Sequence, residues 1–206
     1  MFIRSVVCAI LCLLGIGTAQ SQNLLVNGGF ETPLVVSGPY EHRSGSELTG
    51  WTLFSTYKGT VQFNSIYDLV SEGAQAVQIE IRGDWISQSF ATVIGQSYMV
   101  SFDLYAYSSS YGGIGVINVT RGSISETFIG TTQGYTHNTL GFVADSLTTE
   151  LKFENSAPTI SPNYPQLDNV SVVAIPEPET YAMLLAGLGL LGFGARRKKL
   201  KAAYAT

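Results

Sequence analysis

A chain of 206 residues that is 45% hydrophobic has the apolar material for a proper core, but its formal net charge of −4 conceals an uneven distribution. Arg4 lies in the first segment and Arg196, Arg197, Lys198, Lys199 and Lys201 lie in the last, so residues 20–175 keep five basic against thirteen acidic residues, a net charge of −8. Phosphate backbones repel such a domain, which argues against nucleic acid as a partner and favours neutral partners or cations.

The first 19 residues, "MFIRSVVCAILCLLGIGTA", pair a single Arg4 with an apolar run from Val6 to Ile16 and small residues at Gly17 and Ala19. This pattern predicts a signal peptide, helical in the membrane and removed by signal peptidase. The run is too short to span a bilayer, which takes about 20 residues. Both cysteines, Cys8 and Cys12, fall in this segment. The exported chain is therefore expected to use neither disulfides nor thiolate metal sites, although its compartment permits disulfides.

From Asn23 to Ile175 the hydrophobic pattern has period two. Strands are predicted at "WTLF" from Trp51, "TVQFN" from Thr60, "AVQIEI" from Ala76, "WISQSF" from Trp85, "SYMVSFDLYAY" from Ser97, "GVINVT" from Gly115, "TELKFE" from Thr149 and "LDNVSVV" from Leu167. Turn chemistry separates them, including "NGG" at Asn27, "SEG" at Ser71, "IRGD" at Ile81 and "SSSYGG" at Ser108. Many short strands with frequent turns predict a single antiparallel β-sandwich over 23–175.

Alternation also assigns faces. With Val100 and Phe102 inward, Asp103, Tyr105 and Tyr107 point outward, as do Gln78 and Glu80 on the neighbouring predicted strand. Trp85 is placed on the same outer face. Aromatic rings beside polar groups suit a sugar, whose C–H patches pack on rings while its hydroxyls hydrogen-bond. Trp85, Gln78, Asp103, Tyr105 and Tyr107 are therefore the candidate glycan platform. The alternative is that tyrosine is simply a good strand former on a wet surface. Catalysis finds little support. The histidines are His42 and His137, there is no HExxH or GxSxG motif, and no spacing singles out a carboxylate pair, so the expectation is a non-enzyme.

Beyond the domain, Pro176-Glu177-Pro178 precedes an apolar run from Tyr181 to Ala195 and then Arg196 and Arg197. As a helix those 15 residues would extend about 22 Å, short of a bilayer core of about 30 Å. Gly187, Gly189, Gly192 and Gly194 weaken the helix further. The following cations would stay cytoplasmic, holding Pro-Glu-Pro at the outer surface, where its rigid, non-helical backbone is open to a protease. Transient insertion followed by cleavage suits this arrangement, and an uncleaved anchor is the alternative.

"NLLVNGGFETP" at Asn23, "GW" at Gly50, "GAQAVQIE" at Gly73, "ISQSFATVIGQSYMVSFDL" at Ile86 and "PQLDNVSVV" at Pro165 together resemble the galactose-binding-like jelly-roll domains. Within that group they look most like a secreted domain family of unknown function shared by plant cell-wall and bacterial surface proteins, and they are similar to several carbohydrate-binding modules. The stretch from Pro176 to Lys201 is similar to the PEP-CTERM sorting signal. The first resemblance implies a structural calcium ion held by Glu31 and Asp168 with main-chain carbonyls. The alternative is that the NGG turn is only a turn, Glu31 is solvated and Asp168 hydrogen-bonds a neighbouring loop. The second resemblance implies processing by an exosortase at the surface of a Gram-negative bacterium that makes exopolysaccharide. In that setting the sequons at Asn118 and Asn169 read as coincidence. Two function classes stay open, a module that binds or structures exopolysaccharide in a biofilm or cell surface and a purely structural surface protein. Transient insertion predicts that intact mass of the protein recovered from the outer surface lacks everything beyond about Pro178; retention of Arg196 to Lys201 would refute it.

Overall fold

The computed structural model describes residues 22–57, 60–64, 69–108, 114–157, 163–176 and 185–193. The predicted signal peptide, Glu177, Pro178, Arg196 and Arg197 lie outside them. Among the described residues, eleven antiparallel strands form two stacked sheets. One has six strands in the order β1 (Tyr40–Arg43), β3 (Thr60–Asn64), β4 (Gln75–Gln78), β11 (Asn163–Ala174), β6 (Ser97–Ser108) and β9 (Thr136–Val143). The other has five, β2 (Thr52–Phe54), β5 (Trp85–Ala91), β10 (Thr148–Asn155), β7 (Gly115–Arg121) and β8 (Ile124–Gly130). The predicted sandwich is the observed architecture.

Alternation fills the space between the sheets. From β6, Tyr98, Val100, Phe102, Leu104 and Ala106 point inward and are buried, and they meet Ile86, Ile117, Leu151 and Phe153 from the five-stranded sheet. Phe102 and Phe153 touch edge to face with centroids 5.2 Å apart, an arrangement that places a ring's positive edge on its partner's negative face. Truncating Phe102 would cost about 3–5 kcal/mol.

Three strands carry no signal strong enough to predict them: β1, β8 and β9. All three are edge strands. In β8 only Gly130 is buried, and in β9 only Leu140 and Phe142 are, so little alternation is imposed on them.

The N-terminal motif docks on the last strand. Asn23 Nδ2 donates to Val170 O, Val172 N–H to Asn23 Oδ1, Leu24 N–H to Val172 O and Val170 N–H to Gly28 O, at 2.9–3.1 Å. A Cβ at Gly28 would overlap the Val170 carbonyl oxygen, so only glycine allows this approach. The turn then buries Phe30 against Trp51, with centroids 5.3 Å apart, while Trp51 Nε1–H donates to Asn27 O. Gln62 and Gln75 both donate to the carbonyls of Phe30 and Pro33, binding the turn to β3 and β4.

Past the domain, a helix covers 185–193, with Leu185, Leu188, Leu190, Leu191 and Phe193 exposed. Among the described residues no helix is long and apolar enough to cross a membrane. The close approach at Gly28 predicts that Gly28→Ala loses about 1–3 kcal/mol of stability in denaturant unfolding. Gly141→Ala, on an open strand position, should change it by under about 0.5 kcal/mol.

Candidate functional site: a groove on the six-stranded sheet

The outer face of the six-stranded sheet carries aligned rows of side chains, because paired residues on adjacent strands point the same way. One row runs His42, Val61, Gln78, Gln166 and Tyr105 across β1, β3, β4, β11 and β6. Flanking it, Tyr40 pairs with Phe63 and Tyr164 with Tyr107. His42, Val61 and Gln78 of the row, with Tyr40, Phe63, Tyr107 and Tyr164, line a groove of about 350 Å³ whose wall also includes Pro39 and Glu80.

The floor is aromatic with polar points. The rings of Tyr107 and Tyr164 are nearly parallel, 12° apart in plane with centroids at 6.3 Å. Partial burial, with the charge of Glu80 and then Tyr107, raises the Tyr164 phenol above its ordinary 10.0, so it keeps its proton as a hydrogen-bond donor. Gln78 is buried and accepts from Gln166 Nε2 at 2.9 Å through Oε1. Tyr40 stands over half exposed at the rim, edge-on to His42. Among the described residues the lining contains one carboxylate and no Lys or Arg.

One end of this face is closed. Tyr135 donates its hydroxyl to Leu69 O, and Ser71 lies over β6 with its hydroxyl bonded to Asp103. Asp103 also accepts from Asn169 Nδ2 at 3.1 Å and meets His137 Nδ1 at 2.7 Å. Beside it, the fully buried Asp168 accepts from the main-chain N–H groups of Ser71 and Glu72 through Oδ2 and of Asn169 through Oδ1. Glu31 Oε1 takes those of Ala74 and Gln75. Burial pushes the Asp168 carboxyl from 3.8 up to about 6; the donors from Glu72, Asn169 and Ser71 oppose the rise, and Glu31 adds to it.

The predicted platform is therefore divided. Gln78, Tyr105 and Tyr107 share the outer face, with Tyr105 packed on Tyr135 at 5.5 Å. Asp103 faces outward as expected but is buried by the covering 69–72 segment, so it serves as a tie rather than an open contact. Trp85 belongs to the opposite sheet, where it lies between Phe54, stacked at 5.6 Å, and Lys152, whose Nζ is 5.9 Å from its ring. Its face assignment within its own strand is right, but its sheet is not the groove's. Tyr40, His42, Phe63 and Tyr164 are groove residues that the candidate platform did not include. Tyr164 had a usable signal, the same parity as Asp168 on one strand.

Glu31 and Asp168 approach one loop, as their paired motifs suggest, and each is engaged by main-chain N–H donors. Two main-chain N–H groups of the 71–75 segment reach Asp168 Oδ2 and two reach Glu31 Oε1, so both carboxylates bind this loop. Among the described residues no group of three or more His, Cys, Asp or Glu is gathered for a metal ion.

The two stacked sheets define an antiparallel β-sandwich with a groove on one outer face. Residues 23–173 match the family described as "Protein of unknown function (DUF642)", and the chain belongs to it. Residues 174–198 match the PEP-CTERM protein-sorting motif, which implies exosortase processing and an exported, surface-directed protein. No curated protein matches the sequence. Among solved structures, TmCBM61 in complex with beta-1,4-galactotriose is similar with a TM-score of 0.53 at 16% identity, over 75% of this chain and all of that one. An arabinose-bound α-L-arabinofuranosidase is similar with a TM-score of 0.50 at 15% identity, over 77% of this chain and 27% of that one. At these identities the likeness is one of fold.

The raised Asp168 carboxyl has a defined consequence for stability. Its folded pKa lies above the unfolded one, so the folded chain binds the proton more tightly; stability rises as pH falls through about 6 towards 4 and is lost on the way back up. The gain is roughly 3 kcal/mol at most. Melting temperature should therefore rise between about pH 7 and pH 5 in the wild type relative to Asp168→Asn, and identical pH slopes would refute this.

Proposed function

We propose that the protein is a non-catalytic exported module whose groove on the six-stranded sheet holds a stretch of polysaccharide at the surface of a Gram-negative cell or in its biofilm matrix. The observation that carries this reading is the near-parallel Tyr107–Tyr164 pair in a groove beside Gln78 and Glu80. Sugar rings present C–H faces that pack on such side chains, and their hydroxyls meet the amide, carboxylate and phenol groups between them. The net negative charge of the domain and a lining without Lys or Arg among the described residues favour a neutral glycan over a uronate or sulfate polymer. A sandwich of this fold that holds beta-1,4-galactotriose supports the same reading.

The tail completes the proposal. Transient insertion of 181–195 in the inner membrane brings Pro-Glu-Pro to an exosortase, and cleavage releases the module to the exopolysaccharide outside. The test is retention of the exported protein on the producing organism's own exopolysaccharide. Tyr107→Ala and Tyr164→Ala should each weaken binding by about 1–2 kcal/mol, the range for losing an interface aromatic. Trp85→Ala, on the other sheet, should bind as wild type. Full retention by both tyrosine variants would move the weight to a structural surface protein without a small ligand. Phe102→Ala is the control for general unfolding.

A further inference from the structure

The pole of the sandwich from which the tail departs is apolar and held firmly. Two loops form it, residues 92–96 between β5 and β6 and residues 144–147 between β9 and β10. Gly95 N–H donates to Ala144 O, Ala144 N–H to Gln96 O, and Thr92 N–H to Leu147 O, all at 2.8–3.0 Å. Within the first loop, Val93 N–H donates to the buried Tyr98 hydroxyl, and Val93 O accepts from Gln96. This bonding presents Val93, Ile94, Val143 and Leu147 to solvent, each more than half exposed. Four large aliphatic side chains at one rigid tip require an explanation, since scattered single ones would not.

The chain leaves the domain at this tip. Ile175 N–H donates to Ser97 O, and Gln96 Nε2 to Ile175 O. Six residues later, at Tyr181, the apolar run begins, and those six residues reach about 20 Å at full extension. If the run enters a bilayer, as the proposed function has it, the pole is held within that distance of the lipid surface.

We propose that Val93, Ile94, Val143 and Leu147 form a membrane-contacting tip that dips into the bilayer interface while the tail is inserted. A few aliphatic side chains bind a membrane weakly alone, but the inserted tail keeps their effective concentration high. The contact is apolar and not electrostatic. The neighbouring acid, Asp145, is exposed and accepts from Ser123 Oγ, and the domain's net negative charge opposes attraction to anionic lipid. Seating fixes the direction of the groove as well. Tyr107 lies ten residues along β6 from Ser97, about 33 Å at 3.3 Å per residue, so the seated domain carries its groove away from the lipid surface.

The experiment uses the exported chain with its tail retained; without residues 1–19 it has no cysteine of its own. A single cysteine is placed at the tip by Ile94→Cys, or at the opposite pole by Gln133→Cys, and labelled with an environment-sensitive fluorophore. The probe is phosphatidylcholine vesicles with brominated acyl chains. Flotation with the vesicles reports tail insertion separately from the tip. The expected result is roughly twofold or greater quenching at 94 over 133, unchanged by salt. Adding Val93→Ser and Leu147→Ser should return it to the level of 133 without changing flotation or melting temperature. Equal quenching at the two positions in floating protein overturns the tip alone. So does a label at 94 already shielded before vesicles are added, which would mean that the tail or a second copy covers the tip. Failure to float overturns tail insertion and the tip with it.

Discussion

The main-chain contact between Gly28 and Val170 is the constraint on which the rest of the groove depends. It brings the N-terminal turn against β11 where Asn169 adopts a φ of 49° and the register with β6 shifts between Asp168 and Ser171. That irregularity leaves Asn169 free to reach Asp103 while Asp168 turns to the 71–72 main chain. Glu31, three residues past Gly28, takes the next two N–H groups of the same segment. Two carboxylates thus replace the strand pairing that the segment between β3 and β4 lacks, and its main-chain donors are satisfied. The segment they hold closes one end of the outer face, away from the Tyr107–Tyr164 pair.

Burying Asp168 has a cost that its three N–H donors offset only in part, which is why its proton is held so tightly. The energetic weight of the acid is structural: it fixes a loop. The half-buried Tyr107 and Tyr164 stand one or two rows away, positioned by strand register and still meeting solvent. The two sheets therefore do different work. The six-stranded sheet carries a concave aromatic surface, whereas the Phe54–Trp85 stack on the other is covered on one ring face by its neighbour and approached by Lys152 on the same tryptophan.

The long axis of the sandwich gives the molecule a polarity. Asn23 pairs with Val172 near the end of β11, and Ile175 bonds to Ser97 at the start of β6, so both ends of the domain lie towards the pole that carries the exposed aliphatic loops. Tyr107 and Tyr164 lie near the other ends of the same two strands. A tether at one end and a groove towards the other is a consequence of strands that run the full length of the domain without a break.

The amino-acid sequence determined the class of fold, the strands that pack on both sides and the side of its own sheet on which each residue stands. Phe102 inward and Tyr105 and Tyr107 outward follow from period-two alternation, which is local and survives in any antiparallel sandwich. The edge strands β1, β8 and β9 were not legible, because burial on them is too sparse to impose a pattern. The tertiary structure alone decided which sheet a strand joins and what lies across its outer face. Trp85 and Tyr107 both point outward, yet from opposite sheets, and Asp103 points outward beneath Ser71, 32 residues earlier in the chain. Those outcomes depend on pairing between distant segments, and such pairing leaves no mark on the spacing of neighbouring residues.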